Sequence, residues 1–197
     1  MTTNNQAYQS YRHLVLGGAR SGKSSYAEQQ ALCALEACSN GRLHYIATAT
    51  YLDDEMRERI AHHKDRRGEQ WIEHEEPVEL ATKLQSFNQD DVVLIDCLTL
   101  WLNNIIFELG DDATNAQVEA VVEALVKSVE QSPANIIMVS NEVGLGVVPL
   151  GKVSRLFVDN AGRMNQALAR VVERVTLIAA GLPLHLKPSN HSLDTQG

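Results

Sequence analysis

The chain has little cysteine, and what it has is scattered. Cys33, Cys38 and Cys97 show no Cys-x-x-Cys spacing, so neither a disulfide framework nor a zinc ribbon is expected. The simplest compartment for three isolated thiols is a reducing cytoplasm. Excess positive charge is also missing. Seventeen Lys and Arg stand against 25 Asp and Glu, a net charge of −8. A nucleic-acid polymer is therefore not expected as the main partner, because a phosphate backbone needs a basic surface. No apolar run reaches the length of a membrane span. Residues 1–10 are polar and lack the apolar stretch of a signal peptide. No internal repeat or low-complexity tract breaks the chain.

What is present is ordinary in bulk and specific in detail. At 197 residues with 44% apolar content, one domain with a full core is expected. We place it at residues 12–187, between polar tails at 1–11 and 188–197. Short Val, Ile and Leu-rich runs at His13–Gly17, Leu43–Thr48, Val92–Asp96, Asn135–Ser140 and Val175–Ala180 read as strands buried on both faces. A last run, Leu184–Lys187, reads as the return strand of a terminal hairpin. Helical patterns fall at Ser24–Cys38, Asp53–Arg66, Val78–Phe87, Thr99–Leu109, Asn115–Gln131 and Asp159–Glu173. Alternating strands and helices predict an α/β fold with a mostly parallel sheet flanked by helices.

Gly17-Gly18-Ala19-Arg20-Ser21-Gly22-Lys23-Ser24 fits the phosphate-loop pattern G-x-x-x-x-G-K-[ST]. It lies between a strand and a helix pattern, the order that the mechanism requires. Backbone N–H groups of such a loop point at nucleotide phosphates. Lys23 would reach the β- and γ-phosphates, and the Ser24 hydroxyl would bind Mg²⁺. Asp96 ends an apolar strand and is a candidate second metal ligand. A strand-terminal Asp that starts a turn or caps the next helix reads equally well from the residues alone.

Residues 53–66 form the second unusual segment. Met56, Ile60 and His63 share one helical stripe, while His62 projects to nearly the opposite face among charges. Neighbouring helical histidines make a poor metal pair, since i and i+1 diverge. A neutral imidazole is a competent nucleophile near neutral pH. A solvated helix end gives the same composition. The run Asn141-Glu142-Val143-Gly144-Leu145-Gly146-Val147-Val148-Pro149 follows a strand and would share the sheet edge with the phosphate loop. An ordinary surface loop gives the same pattern.

Together these segments resemble one family, the bifunctional adenosylcobinamide kinase / adenosylcobinamide-phosphate guanylyltransferases of cobalamin biosynthesis. The matching pieces are Gly17–Ser24, Tyr45-Ile46-Ala47-Thr48, Asp53-Asp54-Glu55-Met56, Arg59-Ile60-Ala61-His62-His63-Lys64, Trp71, Glu75, Asn141–Pro149 and Arg155–Gln166. The resemblance implies a P-loop NTPase fold with a RecA-like sheet, and a homotrimer with sites at subunit boundaries. It implies two reactions, phosphorylation of adenosylcobinamide with ATP or GTP, then GMP transfer from GTP to adenosylcobinamide phosphate. By similarity, His62 carries GMP covalently and Lys23 serves phosphoryl transfer. Nucleotide contacts fall on Gly17, Gly18, Ala19, Arg20, Ser21, Gly22, Lys23, Ser24, Thr48, Ala49, Thr50, His63, Lys64, Asp65, Arg66, Glu75 and Asp96, and Mg²⁺ on Ser24 and Asp96. Where this chain has Asp96, some relatives carry Glu. A small-molecule kinase without guanylyl transfer, or a GTP-dependent switch, would share the loop but not the histidine adduct.

Overall fold

A computed structural model describes residues 10–38, 40–49, 68, 70–110, 112–147 and 149–187. Its frame is a seven-stranded sheet in the order β3-β2-β4-β5-β1-β6-β7. The strands are β1 (Arg12–Gly17), β2 (Arg42–Ala47), β3 (Trp71–Glu75), β4 (Asp91–Asp96), β5 (Asn135–Asn141), β6 (Arg174–Ala179) and β7 (Leu182–Lys187). Every pairing is parallel except β6 with β7. The described helices are α1 (Lys23–Glu36), α2 (Leu80–Leu84), α3 (Leu98–Leu109), α4 (Asn115–Gln131) and α5 (Lys152–Val171).

The central strands are apolar on both faces because both faces are covered. Leu14, Leu16, Val93, Ile95, Ile136 and Met138 join one core with α2 to α5. Val15, Val92, Leu94, Ile137 and Val139 join a second core with Ala27 and Ala31 of α1. Those two alanines are fully buried, so α1 approaches the sheet closely and its N-terminus is fixed above the end of β1. In α4, Val118, Val122, Leu125 and Val129 are buried at helical spacing, a stripe of the kind that turns one face to a core. Its start is closed by a capping box between Thr114 and Gln117, which satisfies orphan N–H groups at both ends of the box.

The expected strands are all found, with ends shifted by one or two residues. β3 was not among them. Its sequence, Trp-Ile-Glu-His-Glu, has only Trp71 buried, because it is an edge strand with little apolar demand. The C-terminal helix starts at Lys152 rather than Asp159, since its first turns are exposed and lack the buried periodicity of Ala161, Met164 and Leu168. α2 is shorter than Val78–Phe87. The expected helix at Asp53–Arg66 lies outside the described residues.

Candidate nucleotide-binding site

Parallel strands deliver their carboxyl ends to one edge, and ligands bind there in open α/β sheets. In register, Gly17 stands beside Asn141 and Ile178, and Ala47 stands between Asp96 and Glu75. Glu75, Ala47 and Asp96 are level with Val139 and Val15, and Gly17 lies two residues further along β1 at the same edge. Strands are spaced by about 4.8 Å. Asp96 and Gly17 are thus two spacings and two residues of rise apart, about 12 Å, within reach of side chains that converge on one bound nucleotide. Glu75 is four spacings and the same two residues of rise from Gly17, about 20 Å. The structure brings Asp96 to the phosphate loop and leaves Glu75 at the far end of the row.

The loop itself is tightly fixed. Gly17 has no room for a side chain, since a Cβ there would lie 2.8 Å from the Ile178 carbonyl oxygen and 2.5 Å from Ser21 Oγ. Gly22 has φ +96, a left-handed angle that glycine reaches without steric cost. The Ser21 N–H donates to the Gly18 carbonyl (3.3 Å), and the Gly181 N–H donates to the Ser21 carbonyl (2.9 Å). The Glu142 N–H donates to the Gly17 carbonyl at 3.1 Å. The loop is therefore held from the β6–β7 turn on one side and from the end of β5 on the other.

Its interior fits an anion. α1 begins at Lys23 with Gly22 as N-cap and no side-chain capping bond. Such a terminus presents unsatisfied N–H groups and the positive end of the helix dipole. Lys23 Nζ donates to the Gly18 carbonyl at 3.2 Å, an exposed bond that a phosphate could replace. Ser21 Oγ is buried with no hydrogen-bond partner among the described residues. Ser24 lies in the first turn of α1. The donor set suits Mg²⁺, a hard cation that takes hydroxyl and carboxylate oxygens.

Asp96 is positioned by what surrounds it. The Tyr45 hydroxyl donates to Asp96 Oδ2 at 3.3 Å. The Thr48 N–H donates to the Asp96 carbonyl at 3.2 Å. Thr48 Oγ1 donates to the Cys97 carbonyl (2.7 Å) and accepts from the Cys97 N–H (2.9 Å). The Thr48 carbonyl in turn accepts from Asn104 Nδ2 of α3 at 2.8 Å. Thr48 is thus a buried brace between β2 and β4, and Ala49 follows it at the site edge. Burial pushes the Cys97 thiol up, and the adjacent Asp96 carboxylate adds to this. Cys97 is therefore a neutral packing group and not a nucleophile.

A second polar network joins residues whose pairing could not be read from the sequence, although Asn141 and Asn165 lie in segments singled out there. Asn141 Nδ2 donates to Thr99 Oγ1 at 2.9 Å, the Ser140 hydroxyl donates to Asn165 Oδ1 at 2.7 Å, and Asn165 Nδ2 donates to the Asn141 carbonyl at 3.3 Å. It ties the end of β5 to α3 and α5 behind the loop. Thr50, His62, His63, Lys64, Asp65 and Arg66 lie outside the described residues.

The chain is similar to known proteins over nearly its whole length. The family model described as cobinamide kinase / cobinamide phosphate guanyltransferase matches residues 13–186. The chain is 50% identical over 177 residues to the bifunctional adenosylcobalamin biosynthesis protein CobP of Pseudomonas aeruginosa, covering 89% of this chain and 97% of that one. It is 39% identical over 184 residues to the bifunctional adenosylcobalamin biosynthesis protein CobU of Escherichia coli, covering 88% and 98%. Among solved structures, it is similar to the flagellar accessory protein FlaH of Methanocaldococcus jannaschii, with 14% identity, a TM-score of 0.49 and coverage of 91% and 79%.

Proposed function

Because the chain belongs to the cobinamide kinase / cobinamide phosphate guanyltransferase family, we propose a division of its two transfers between the phosphate loop and His62. The protein is a bifunctional transferase of adenosylcobalamin biosynthesis, acting on cobinamide and on cobinamide phosphate. The observation that carries the kinase half is the loop, a glycine cradle closed by Ile178 and Ser21 beside the uncapped start of α1. Its N–H groups and Lys23 bind the β- and γ-phosphates of ATP or GTP and favour the charge that spreads over the γ-phosphoryl oxygens in transfer. The acceptor is the hydroxyl of the aminopropanol arm of adenosylcobinamide. Ser24 and Asp96 would hold Mg²⁺, which, when bound, neutralises phosphate charge.

In the second transfer, a neutral ring nitrogen of His62 attacks the α-phosphorus of GTP. A P–N bond forms, the P–O bond to pyrophosphate breaks, and the ring loses its proton to solvent. A phosphate oxygen of adenosylcobinamide phosphate then attacks the same phosphorus. The P–N bond breaks, the ring takes a proton back from solvent so that neutral histidine is regenerated, and adenosylcobinamide-GDP is released. Ala49, Thr50, His63, Lys64, Asp65, Arg66 and Glu75 would bind the guanylyl-donating nucleotide. The far position of Glu75 along the strand ends supports a role away from the transferred γ-phosphoryl group.

The test is incubation with Mg²⁺ and GTP labelled at the α-phosphate, with His62→Ala alongside. Acid-labile, alkali-stable label on the parent and none on the variant is expected. An unlabelled parent that still phosphorylates cobinamide would leave a kinase alone and overturn the histidine assignment.

We further propose a homotrimer in the cytoplasm. Leu182, Leu184 and Leu186 alternate along edge strand β7 and are more than half exposed, a stripe that supports self-association. Cys33, Cys38 and Cys97 show no Cys-x-x-Cys spacing, which supports a reducing compartment. Light scattering at a mass of three chains is the expected result, and a monomer at micromolar concentration would exclude it.

A further inference from the structure

The segment from Glu142 to Gly151 leaves β5 at the site and is unusually apolar for its exposure. Leu145 is 85% exposed, Val147 97% and Leu150 96%. Val153, in the first turn of α5, is 52% exposed. Between Glu142 and Lys152 the sequence has no charged side chain. Single exposed aliphatic residues are common on protein surfaces. Three almost fully exposed within six residues at the rim of a site mark a binding surface.

The described residues at both ends of this segment are held, while the Leu145, Val147 and Leu150 side chains are exposed. At its start, the Glu142 N–H bonds the Gly17 carbonyl, and Glu142 Oε1 accepts from the Gly144 N–H at 2.8 Å. At its end, the Arg155 guanidinium donates to the carbonyls of Pro149 and Leu150. Polar bonds at both ends thus fix a rim whose aliphatic groups are left to solvent. Val143 packs on the main core, so the rim is also anchored from below.

Resting on the family reading above, we propose that Leu145, Val147 and Leu150 dock the corrin macrocycle of cobinamide. The acceptor hydroxyl must come within about 3–3.5 Å of the γ-phosphorus to react. The bulk of so large an acceptor must then lie over whatever borders the phosphate loop. The rim begins at the residue bonded to Gly17, and it is uncharged and aliphatic. That suits a flat macrocycle edged with methyl groups and neutral amides. Leu145, Val147 and Leu150 carry no group that bonds a phosphate, so nucleotide affinity is expected to stay independent of them.

The test is equilibrium dialysis of cobinamide, followed by its corrin absorbance, against protein saturated with a non-hydrolysable GTP analogue. The variant carries Leu145→Ser, Val147→Ser and Leu150→Ser, and a control carries isoleucine at the same three positions. We expect the serine variant to bind cobinamide at least tenfold more weakly, and the isoleucine control to bind it like the parent. Nucleotide affinity and molecular mass by light scattering stay unchanged. Equal cobinamide affinity in the serine variant and the parent overturns the proposal. Weaker binding together with a fall in mass assigns the rim to a second copy of the chain and also overturns it. A parent that neither binds nor phosphorylates cobinamide overturns the family-level reading and this proposal with it.

Discussion

Thr48 and Cys97 are joined by hydrogen bonds in both directions, although 49 residues separate them. The Thr48 hydroxyl serves the carbonyl and the N–H of the residue that follows Asp96. Thr48 is fully buried, so water cannot replace it. Thr48→Val keeps the shape and removes both bonds. It should cost about 2–4 kcal/mol in urea unfolding, since two buried backbone groups lose their partner. Thr48→Ser keeps the hydroxyl and should stay within about 1 kcal/mol of the parent. Equal stability of the valine and serine variants would show that the brace carries no weight.

The phosphate loop makes a sharper contrast between two neighbouring glycines. A Cβ on Gly17 would press on the backbone oxygen of Ile178, whereas one on Gly18 meets nothing within 4 Å. Gly17→Ala should therefore destabilise the protein by about 1–3 kcal/mol and weaken nucleotide binding severely. Gly18→Ala should change stability by no more than about 0.5 kcal/mol. Thermal melts and titration with a fluorescent nucleotide check both. Similar behaviour of the two variants would contradict the packing described at Gly17.

These contrasts also show where the sequence was legible. The loop and β1 could be read because all their signals are local, an apolar run, then glycines, then helix formers. α4 was legible in full, since the helical pattern at Asn115–Gln131 has the bounds that the structure gives. β3 was not, because Glu73, His74 and Glu75 give an edge strand the composition of a loop. The first turns of α5 were missed because they are exposed, Val153 included, and follow no core periodicity. The Thr48–Cys97 brace and the Asn141–Thr99 bond left no trace in the sequence, as each joins residues 40 or more positions apart. Asp96 was an even choice between turn and metal from its residues alone. Its place two strands from Gly17, beside the Tyr45 hydroxyl, favours the metal.

Asp96 can be tested on that point. Asp96→Asn keeps the side-chain shape and an oxygen for the Tyr45 hydroxyl, while removing the charge. Kinase turnover should fall about 10²–10³-fold, and the Mg²⁺ concentration for half-maximal rate should rise. Nucleotide binding measured in a chelator should stay at the parent's level, because the loop is untouched. A Mg²⁺ dependence identical to the parent's would remove Asp96 from the metal site.

The fold should also lose stability in mild acid through a histidine remote from the reaction. His13 is fully buried in β1. Its Nδ1 lies 2.8 Å from the Tyr11 hydroxyl and its Nε2 2.9 Å from Thr176 Oγ1. Burial lowers its pKa to about 3, with the positive charges of Arg174 and His185 acting in the same direction. The unfolded chain takes up this proton near pH 6.5, while the folded chain does so only near pH 3. Stability from a neutral His13 is therefore complete above pH 6.5 and is lost progressively as pH falls below it. By pH 5 the loss is about 2 kcal/mol. His44 and His74 are also lowered by burial, so the parent's total loss exceeds this share. His13→Gln keeps a polar side chain that does not titrate, and the other histidines are common to both proteins. Urea unfolding at pH 7.5 and pH 5 should show a drop about 2 kcal/mol smaller in the variant than in the parent. Equal drops would mean that His13 is protonated in the folded state at pH 5, which its two hydrogen bonds and full burial oppose.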